Sequence, residues 1–113
     1  MTIDKGLMSG STGLLILHLL SLEDMYGYQL VKELACRSDD TFCLKEGTFY
    51  PLLHTMEREG WIVAYSATGD NGRSRKYYQI TNEGRAQLAA KTQEWQKFSY
   101  SVNKVLGGVQ YGQ

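Results

Sequence analysis

The chain has 113 residues, of which 42% are hydrophobic and 21% are charged, and these values are typical of a single soluble globular domain. Its 12 basic and 12 acidic residues cancel, so a surface for nucleic acid would have to be a local patch. The sequence contains no apolar run long enough to span a bilayer and no signal-peptide pattern near its start. We therefore expect a cytoplasmic protein that does not interact with a membrane.

The first predicted element is a short helix that is buried on most sides. Residues 13–22 are apolar nearly all round, and several possible caps precede them at 9–12. Residues 1–8 carry little signal and are predicted to be a loose arm. His18 is the one polar side chain within the apolar run. It either bonds to a backbone carbonyl or faces a ligand.

A second helix is predicted over residues 26–34, after a polar break at 23–25. Leucine and valine give it an apolar side at helical spacing. Gly27 permits another backbone to approach closely. Residues 37–44 are predicted to form a loop or a very short strand.

Residues 45–61 predict a third helix with sharply defined ends. Gly47 or Thr48 can cap its start, and Pro51 then falls in the first turn, where its missing N–H is not needed. Gly60 is a natural end, because glycine tolerates the left-handed conformation of a helix C-cap.

The exposed side of this third helix is the first candidate for recognition of nucleic acid. An apolar stripe that begins at Phe49 backs it, and the outward candidates are Thr48, Tyr50 and His54. Donors and acceptors on an exposed helix face can read base edges in a DNA major groove. An ordinary amphipathic helix with a solvated face is the alternative for this segment alone. Arg58 is predicted to form an intrahelical or surface pair.

A β-hairpin is predicted next. Residues 61–65 and 74–80 have strand composition, and the turn cluster at 68–72 contains Asn-Gly, a strong hairpin signal. The tip is basic, with Asp70 as its only nearby acid. The candidate DNA-contacting residues of the hairpin are Arg73, Ser74, Arg75, Lys76 and Tyr77. Three helices followed by a basic hairpin form the winged helix-turn-helix arrangement, in which the third helix reads bases and the wing grips phosphates or the minor groove. A solvated edge that discourages aggregation is the alternative.

Thr81 can cap a last helix that extends from residue 82 to about 106. Apolar residues recur along it at spacings of three and four and form a heptad-like seam. The predicted dimer interface consists of Trp95, Phe98, Val102 and Val105. Packing of the seam against its own domain is the alternative. The predicted fold is therefore mainly α with a small β-hairpin, as a winged helix-turn-helix domain at 1–81 and a C-terminal dimerisation helix and tail at 82–113.

The sequence contains no nucleophile–base pair, paired carboxylates, phosphate loop or metal-ligand cluster, so we expect no enzymatic activity, cofactor or metal. Cys36 and Cys43 are predicted to be reduced thiols, with a redox-sensing pair as the alternative. Zinc is less favoured, because Cys-x-x-Cys is absent and His18 and His54 are distant in sequence.

Four motifs together resemble the PadR family of bacterial transcriptional regulators. They are Tyr-Gly-Tyr-Gln-Leu at 26–30, Glu-Gly-Thr-Phe-Tyr-Pro-Leu-Leu at 46–53, Glu-Arg-Glu-Gly-Trp-Ile at 57–62 and Gly-Arg-Ser-Arg-Lys-Tyr-Tyr-Gln-Ile-Thr at 72–81. The resemblance covers roughly residues 10–106. It implies a winged-helix domain, a C-terminal dimerisation helix and repression of a nearby promoter.

The short form with one C-terminal helix resembles the multidrug-binding branch of the family. That branch implies a pore at the dimer centre in which planar aromatic ligands stack between two tryptophans, with Trp95 at the matching place. By the same resemblance, the effector-binding residues would be Leu14, His18, Leu88, Trp95 and Ser99. Other members respond to phenolic acids, so the class of ligand stays open. A plain interface anchor is the alternative role for Trp95.

The leading functional hypothesis is a homodimeric regulator of double-stranded operator DNA, a repressor released by a small planar aromatic or phenolic effector. The alternative is a winged-helix module that binds another protein without specific DNA binding. Neutral net charge favours the alternative slightly, and the basic hairpin tip favours DNA.

Overall fold

The computed structural model describes residues 5–69 and 71–107. It contains helices α1 (Lys5–Leu22), α2 (Gly27–Arg37), α3 (Glu46–Arg58) and α4 (Asn82–Val105). Strands β1 (Met25–Tyr26), β2 (Ile62–Thr68) and β3 (Ser74–Ile80) form one antiparallel sheet in the order β1-β3-β2. The mainly helical fold with a small sheet agrees with the prediction.

Helix α1 begins two turns earlier than the sequence predicts. The loose arm expected at 1–8 is wrong for residues 5–8, which are helical, and residues 1–4 lie outside the described part of the chain. Residues 9–12 do not cap the helix, because they lie inside it. The Thr12 hydroxyl is buried and donates to the Met8 carbonyl at 2.9 Å. A threonine inside a helix is satisfied in this way by the carbonyl one turn earlier.

Strand β1 was not predicted. Met25 pairs with Tyr78 and Tyr26 pairs with Tyr77. The third strand of the sheet therefore consists of the last residue of the expected polar break and Tyr26, which was predicted to begin the second helix. Helix α2 then runs to Arg37, one turn beyond its predicted end. There the Ser38 hydroxyl donates to the Leu34 carbonyl at 2.6 Å. The loop predicted at 37–44 is otherwise confirmed.

Helix α3 starts at Glu46, after Lys45 as its N-cap, without a side-chain cap bond. The predicted cap at Gly47 or Thr48 is wrong, because both residues are helical. Pro51 is consequently the sixth residue of the helix and lies in its second turn. The predicted end is confirmed: Gly60 has φ +82° and donates to Glu57, while Trp61 donates to Met56. These two bonds form a Schellman motif.

The predicted hairpin is confirmed. Strands β2 and β3 pair from Ile62–Ile80 to Thr68–Ser74, so the connecting loop consists of residues 69–73. The Gly69 N–H donates to the Arg73 carbonyl at 2.7 Å and closes the loop. Asp70, the acid expected to oppose the basic tip, lies outside the described residues.

The core lies between α1, α2, α3 and the inner face of the sheet. Its fully buried side chains come from all of these elements: Ile16, Leu17, Leu20, Leu30, Phe49, Leu53, Met56 and Ile62. Helix α4 differs, because Gly84 is its only buried residue, although Leu88 packs against the core. Most of α4 therefore extends beyond the core of a single chain.

The start of α4 is fixed by a close approach between backbones. Thr81 caps the helix as predicted, since its Oγ1 accepts from the Gly84 N–H at 3.0 Å. A Cβ at Gly84 would overlap the carbonyl oxygen of Trp61 and lie 2.8 Å from Cγ1 of Ile80. Only glycine allows α4 to lie this close to the end of α3.

We expect Gly84→Ala to lower the free energy of unfolding by about 1–3 kcal/mol, because the added methyl group must displace backbone atoms. Gly47→Ala is the matched control, since nothing lies within 4 Å of a Cβ there and alanine favours a helix. Urea unfolding at equal protein concentration measures both changes. An equal effect of the two substitutions would contradict the close approach at Gly84.

Candidate nucleic-acid interface

The exposed face of α3 presents Thr48, His54 and Thr55, opposite the buried residues Phe49 and Leu53. The Thr55 hydroxyl donates to the Pro51 carbonyl at 3.1 Å, and Arg58 donates to Thr55 Oγ1 at 3.2 Å. The intrahelical pair predicted for Arg58 is thus confirmed. Thr48 and His54 are the two predicted base-reading residues that are exposed on this face.

Tyr50 does not point outward as predicted. Its ring is half-buried, packs edge-on against Phe49 at 5.3 Å and lies against α2. The physical reason is the missing side chain of Gly27, where a Cβ would lie 2.5 Å from the Tyr50 hydroxyl. Gly27 was expected to admit a neighbouring backbone, but it admits this tyrosine ring instead.

A surface cleft of about 420 Å³ joins α2, α3 and the hairpin. Tyr28 of α2, Tyr50 of α3, and Arg75 and Lys76 of β3 all line it. Tyr28 is 62% exposed, and Nζ of Lys32 lies 5.6 Å from the centre of its ring. Sequence reasoning missed Tyr28 and Lys32, although their spacing of four residues places them together on α2.

The three basic residues of the hairpin have different surroundings. Arg73 is exposed in the loop, and the Arg75 guanidinium lies 4.2 Å from the centre of the Tyr26 ring. Among the described residues neither arginine forms a salt bridge. Lys76 does, because its Nζ lies 3.9 Å from a Glu57 carboxylate oxygen of α3. Within residues 5–69 and 71–107, the positive charge of the hairpin is therefore least compensated at Arg73 and Arg75.

The outer face of the sheet carries a polar contact that the sequence did not predict. The Tyr65 hydroxyl donates to Oδ2 of Asp24 at 2.6 Å, and Nε2 of Gln79 donates to the same oxygen at 3.2 Å. The hydrogen bond to Asp24 raises the pKa of Tyr65, because the carboxylate stabilises the protonated phenol. Tyr77, another candidate DNA contact, stacks on Tyr65 with ring centres 5.8 Å apart.

A second cleft, of about 260 Å³, lies between α1 and α4. Leu14, Trp95 and Phe98 line it together with Lys91 and Glu94. The structure thus brings Leu14 and Trp95 together, as the resemblance implies.

The other predicted effector-binding residues do not line this cleft in one chain. His18 is exposed and lines a separate cleft between α1 and α2, whose wall includes Phe42. Leu88 packs against the core, and the Ser99 hydroxyl lies 3.3 Å from the Gln96 carbonyl. A single protomer therefore assembles only part of the predicted site.

The four residues of the predicted dimer seam are all exposed. Trp95 is 47% exposed, Phe98 54%, Val102 37% and Val105 86%. Each fraction is large for a side chain of this type, so one chain leaves a continuous apolar strip along α4.

Both cysteines, Cys36 and Cys43, are free and exposed. The Cys43 thiol lies 3.2 Å from the Asp40 carbonyl oxygen. Across residues 5–69 and 71–107, no helix is both long and apolar enough to cross a membrane.

The model of the Transcriptional regulator PadR-like family matches residues 16–90, a range that includes α2, α3 and the hairpin. The chain belongs to the PadR family. Its members are transcriptional regulators rather than enzymes, and their winged-helix fold is the one described above. The PadR family that the four sequence motifs predict is therefore confirmed.

Relatives support the same assignment. Transcriptional regulator Rv3488 of Mycobacterium tuberculosis is 35% identical over 93 residues, which cover 82% of this chain and 80% of that protein. A PadR-like transcriptional regulator of Bacillus cereus is 36% identical with a TM-score of 0.83, covering 93% of this chain and 100% of the other. A PadR family transcription regulator of Clostridium difficile is 38% identical with a TM-score of 0.75, covering 86% and 99%.

Proposed function

We propose that this PadR-family regulator is a homodimeric DNA-binding repressor whose α3 enters the major groove while the hairpin acts as a wing on the backbone. One observation carries the proposal. A single cleft joins Tyr28 of α2, Tyr50 of α3 and Arg75 of the wing into one surface beside the exposed polar face of α3.

Thr48 and His54 are assigned to base recognition, and Tyr50 is assigned to the edge of the DNA major groove. Hydroxyl and imidazole groups make single hydrogen bonds to base edges, whereas the strongest readers are bidentate arginine or asparagine. Specificity for each base is consequently modest, and the shape of the DNA contributes the rest.

Phosphate contacts are assigned to the wing segment that contains Arg73, Ser74, Arg75, Lys76 and Tyr77. Arg73 and Arg75 carry most of this role, since neither forms a salt bridge within the described residues. Lys76 contributes less, because Glu57 lies 3.9 Å from its ammonium group. Tyr28 and Lys32 of α2 extend the same surface towards the flanking backbone.

Replacing Arg73 or Arg75 with alanine should weaken DNA binding by a similar factor for two kinds of duplex. One comes from the region upstream of the protein's own gene, and the other has an unrelated sequence. Each substitution should reduce the slope of log K against log salt by about one unit, because one phosphate contact is lost. Fluorescence anisotropy titrations at several salt concentrations measure the slope. Arg85→Ala, at an exposed position of α4, is the control and should leave it unchanged. An unchanged slope in both wing variants would exclude the proposed contacts.

Dimerisation is assigned to the exposed apolar strip of α4 formed by Trp95, Phe98, Val102 and Val105. Burying such side chains contributes about 1.5–3 kcal/mol each, and a stable pair of long helices removes all four from water. Two copies of α3 would then face successive major-groove segments about one helical turn apart, on a pseudo-palindromic operator.

We expect Phe98→Glu and Val102→Glu to convert the dimer to a monomer at micromolar concentration, because each places a charge within the apolar strip. Gln93→Glu is the control, since Gln93 is exposed and helical spacing puts it on the opposite side of α4. Light scattering after size exclusion gives the mass. A wild-type protein that elutes as a monomer would refute the interface.

Effector binding is assigned to the Trp95 cleft, completed by a second copy of the chain. One cleft of about 260 Å³ is smaller than the roughly 300–1,000 Å³ of ordinary ligand pockets, so two are needed for a drug-sized compound. Leu14 and Trp95 provide the walls. His18, Leu88 and Ser99 do not line the cleft within one chain and are candidates only for the part that a second copy completes. A ligand releases DNA only if it binds more tightly to the dimer geometry that does not fit the operator than to the geometry that does.

A flat aromatic ligand stacked on Trp95 should quench its fluorescence. Trp61 is the only other tryptophan, so a Trp61→Phe variant reports Trp95 alone. Titration with a panel of neutral, cationic and phenolic aromatic compounds should give saturable quenching by at least one class. Phe98→Glu should abolish that quenching, because a monomer offers half of the site. A dimer that responds to no compound would leave Trp95 as an interface anchor.

A protein-interaction module is the second candidate. The neutral net charge and the exposed Val63 and Tyr65 on the sheet favour it. The anisotropy titration separates the two functions: a dimer that ignores every duplex, including one from its own upstream region, would support a protein partner.

A further inference from the structure

Asp24 joins the end of the first helix to both strands of the wing. It lies between the end of α1 at Leu22 and β1, and its Oδ2 accepts from Tyr65 of β2 at 2.6 Å and from Gln79 of β3 at 3.2 Å. These partners lie 41 and 55 residues away in sequence. One carboxylate oxygen therefore connects three separate segments by charge-assisted hydrogen bonds.

The contact continues towards the basic part of the wing through packed rings. Tyr65 stacks on Tyr77 with ring centres 5.8 Å apart, and Tyr77 meets Tyr26 edge-on at 5.5 Å. The Arg75 guanidinium lies 4.2 Å from the centre of the Tyr26 ring. A continuous layer thus runs across the outer face of the sheet from Asp24 to Arg75.

The inner face of the wing's base packs on the core through Ile62, Tyr78 and Ile80, so the layer that starts at Asp24 is the contact of its outer face. Strand β1 is two residues long and pairs only with Tyr77 and Tyr78 of β3. Beyond that point the hairpin continues as a two-stranded ribbon to the Thr68–Ser74 pair. An isolated ribbon of this kind is marginally stable and twists easily, so its direction is decided at its base.

We propose that Asp24 is a positioning residue that sets the direction of the wing, and with it the place of Arg73 and Arg75 on the DNA backbone. The inference rests on the proposed DNA-binding function. It assigns to Asp24 a role that acts through its bonds to Tyr65 and Gln79.

The direction of the change in DNA affinity distinguishes a positioning role of Asp24 from a direct electrostatic effect of its charge. Removing a negative charge near DNA should strengthen binding, because the phosphates repel it. If Asp24 positions the wing, Asp24→Asn should instead weaken binding about five- to tenfold. Tyr65→Phe, which keeps the ring stack and changes no charge, should have a similar effect. Glu23→Gln is the matched control, since it removes an adjacent charge whose partner is Gln29 of α2, not the wing.

Combined substitutions show whether the effect passes through the wing. Asp24→Asn with Tyr65→Phe should weaken binding no more than the larger of the two single changes. Asparagine removes the charge that strengthens the Tyr65–Asp24 hydrogen bond, and phenylalanine removes that bond itself. Asp24→Asn should also reduce the slope of log K against log salt. In a protein that already carries Arg73→Ala and Arg75→Ala, it should change the DNA affinity little further. Thermal unfolding without DNA identifies any variant that is poorly folded, in which case the conservative Tyr65→Phe provides the measurement.

The outcomes divide clearly between the two proposals. Wild-type protein that binds no duplex overturns the proposed function. The positioning role alone is overturned if the wild-type protein binds DNA, Asp24→Asn binds it equally or more tightly, and Tyr65→Phe leaves the affinity unchanged. The positioning role is also overturned if the losses of DNA affinity from Asp24→Asn and Tyr65→Phe multiply in the double variant. It is overturned as well if Asp24→Asn weakens binding by the full factor in protein that lacks the wing arginines.

Discussion

The hydrogen bonds of Thr81 hold the ends of three elements together. Its backbone N–H donates to the Trp61 carbonyl at 3.0 Å, and its hydroxyl lies 2.6 Å from the Gly60 carbonyl while it accepts from the Gly84 N–H. The end of α3, the end of β3 and the start of α4 therefore meet at one point. Because Gly84 allows close contact there, the direction of α4 is fixed relative to α3. Any geometry that α4 imposes on a dimer is thus passed directly to the proposed recognition helices.

The two surfaces that α4 and the wing expose have opposite character. Helix α4 leaves an apolar strip that contains Trp95 and Phe98, while the wing leaves cationic groups at Arg73 and Arg75. Apolar surface of this kind favours another protein chain, and arginine that forms no salt bridge within the described residues favours phosphate. A zero net charge describes only the sum of the charges in the chain, so it does not show this difference between the two surfaces. One small chain therefore exposes an apolar surface on α4 and a cationic surface on the wing.

Much of the fold could be predicted because its signals are local. Gly60 ends α3, Thr81 caps α4 and the Asn71-Gly72 turn joins β2 to β3, and each depends on neighbouring residues only. The starts of helices were less predictable. Helix α1 begins at Lys5, and α3 begins at Glu46 without a side-chain cap bond. The predicted caps lie inside both helices, because threonine and glycine are also tolerated there. For the candidate site, the sequence placed Thr48 and His54 on the exposed face of α3.

The sequence by itself determined the order of the four helices and the hairpin, the family and the basic residues of the wing, since these follow from periodicity, turn residues and contiguous motifs. Only the tertiary structure decided how the elements meet. Strand β1 is too short to show a period, and it exists because β3 pairs with it. Tyr50 turns inward because Gly27 leaves room, and Asp24 reaches Tyr65 across 41 residues. Such contacts join positions far apart in the chain, so no local pattern records them.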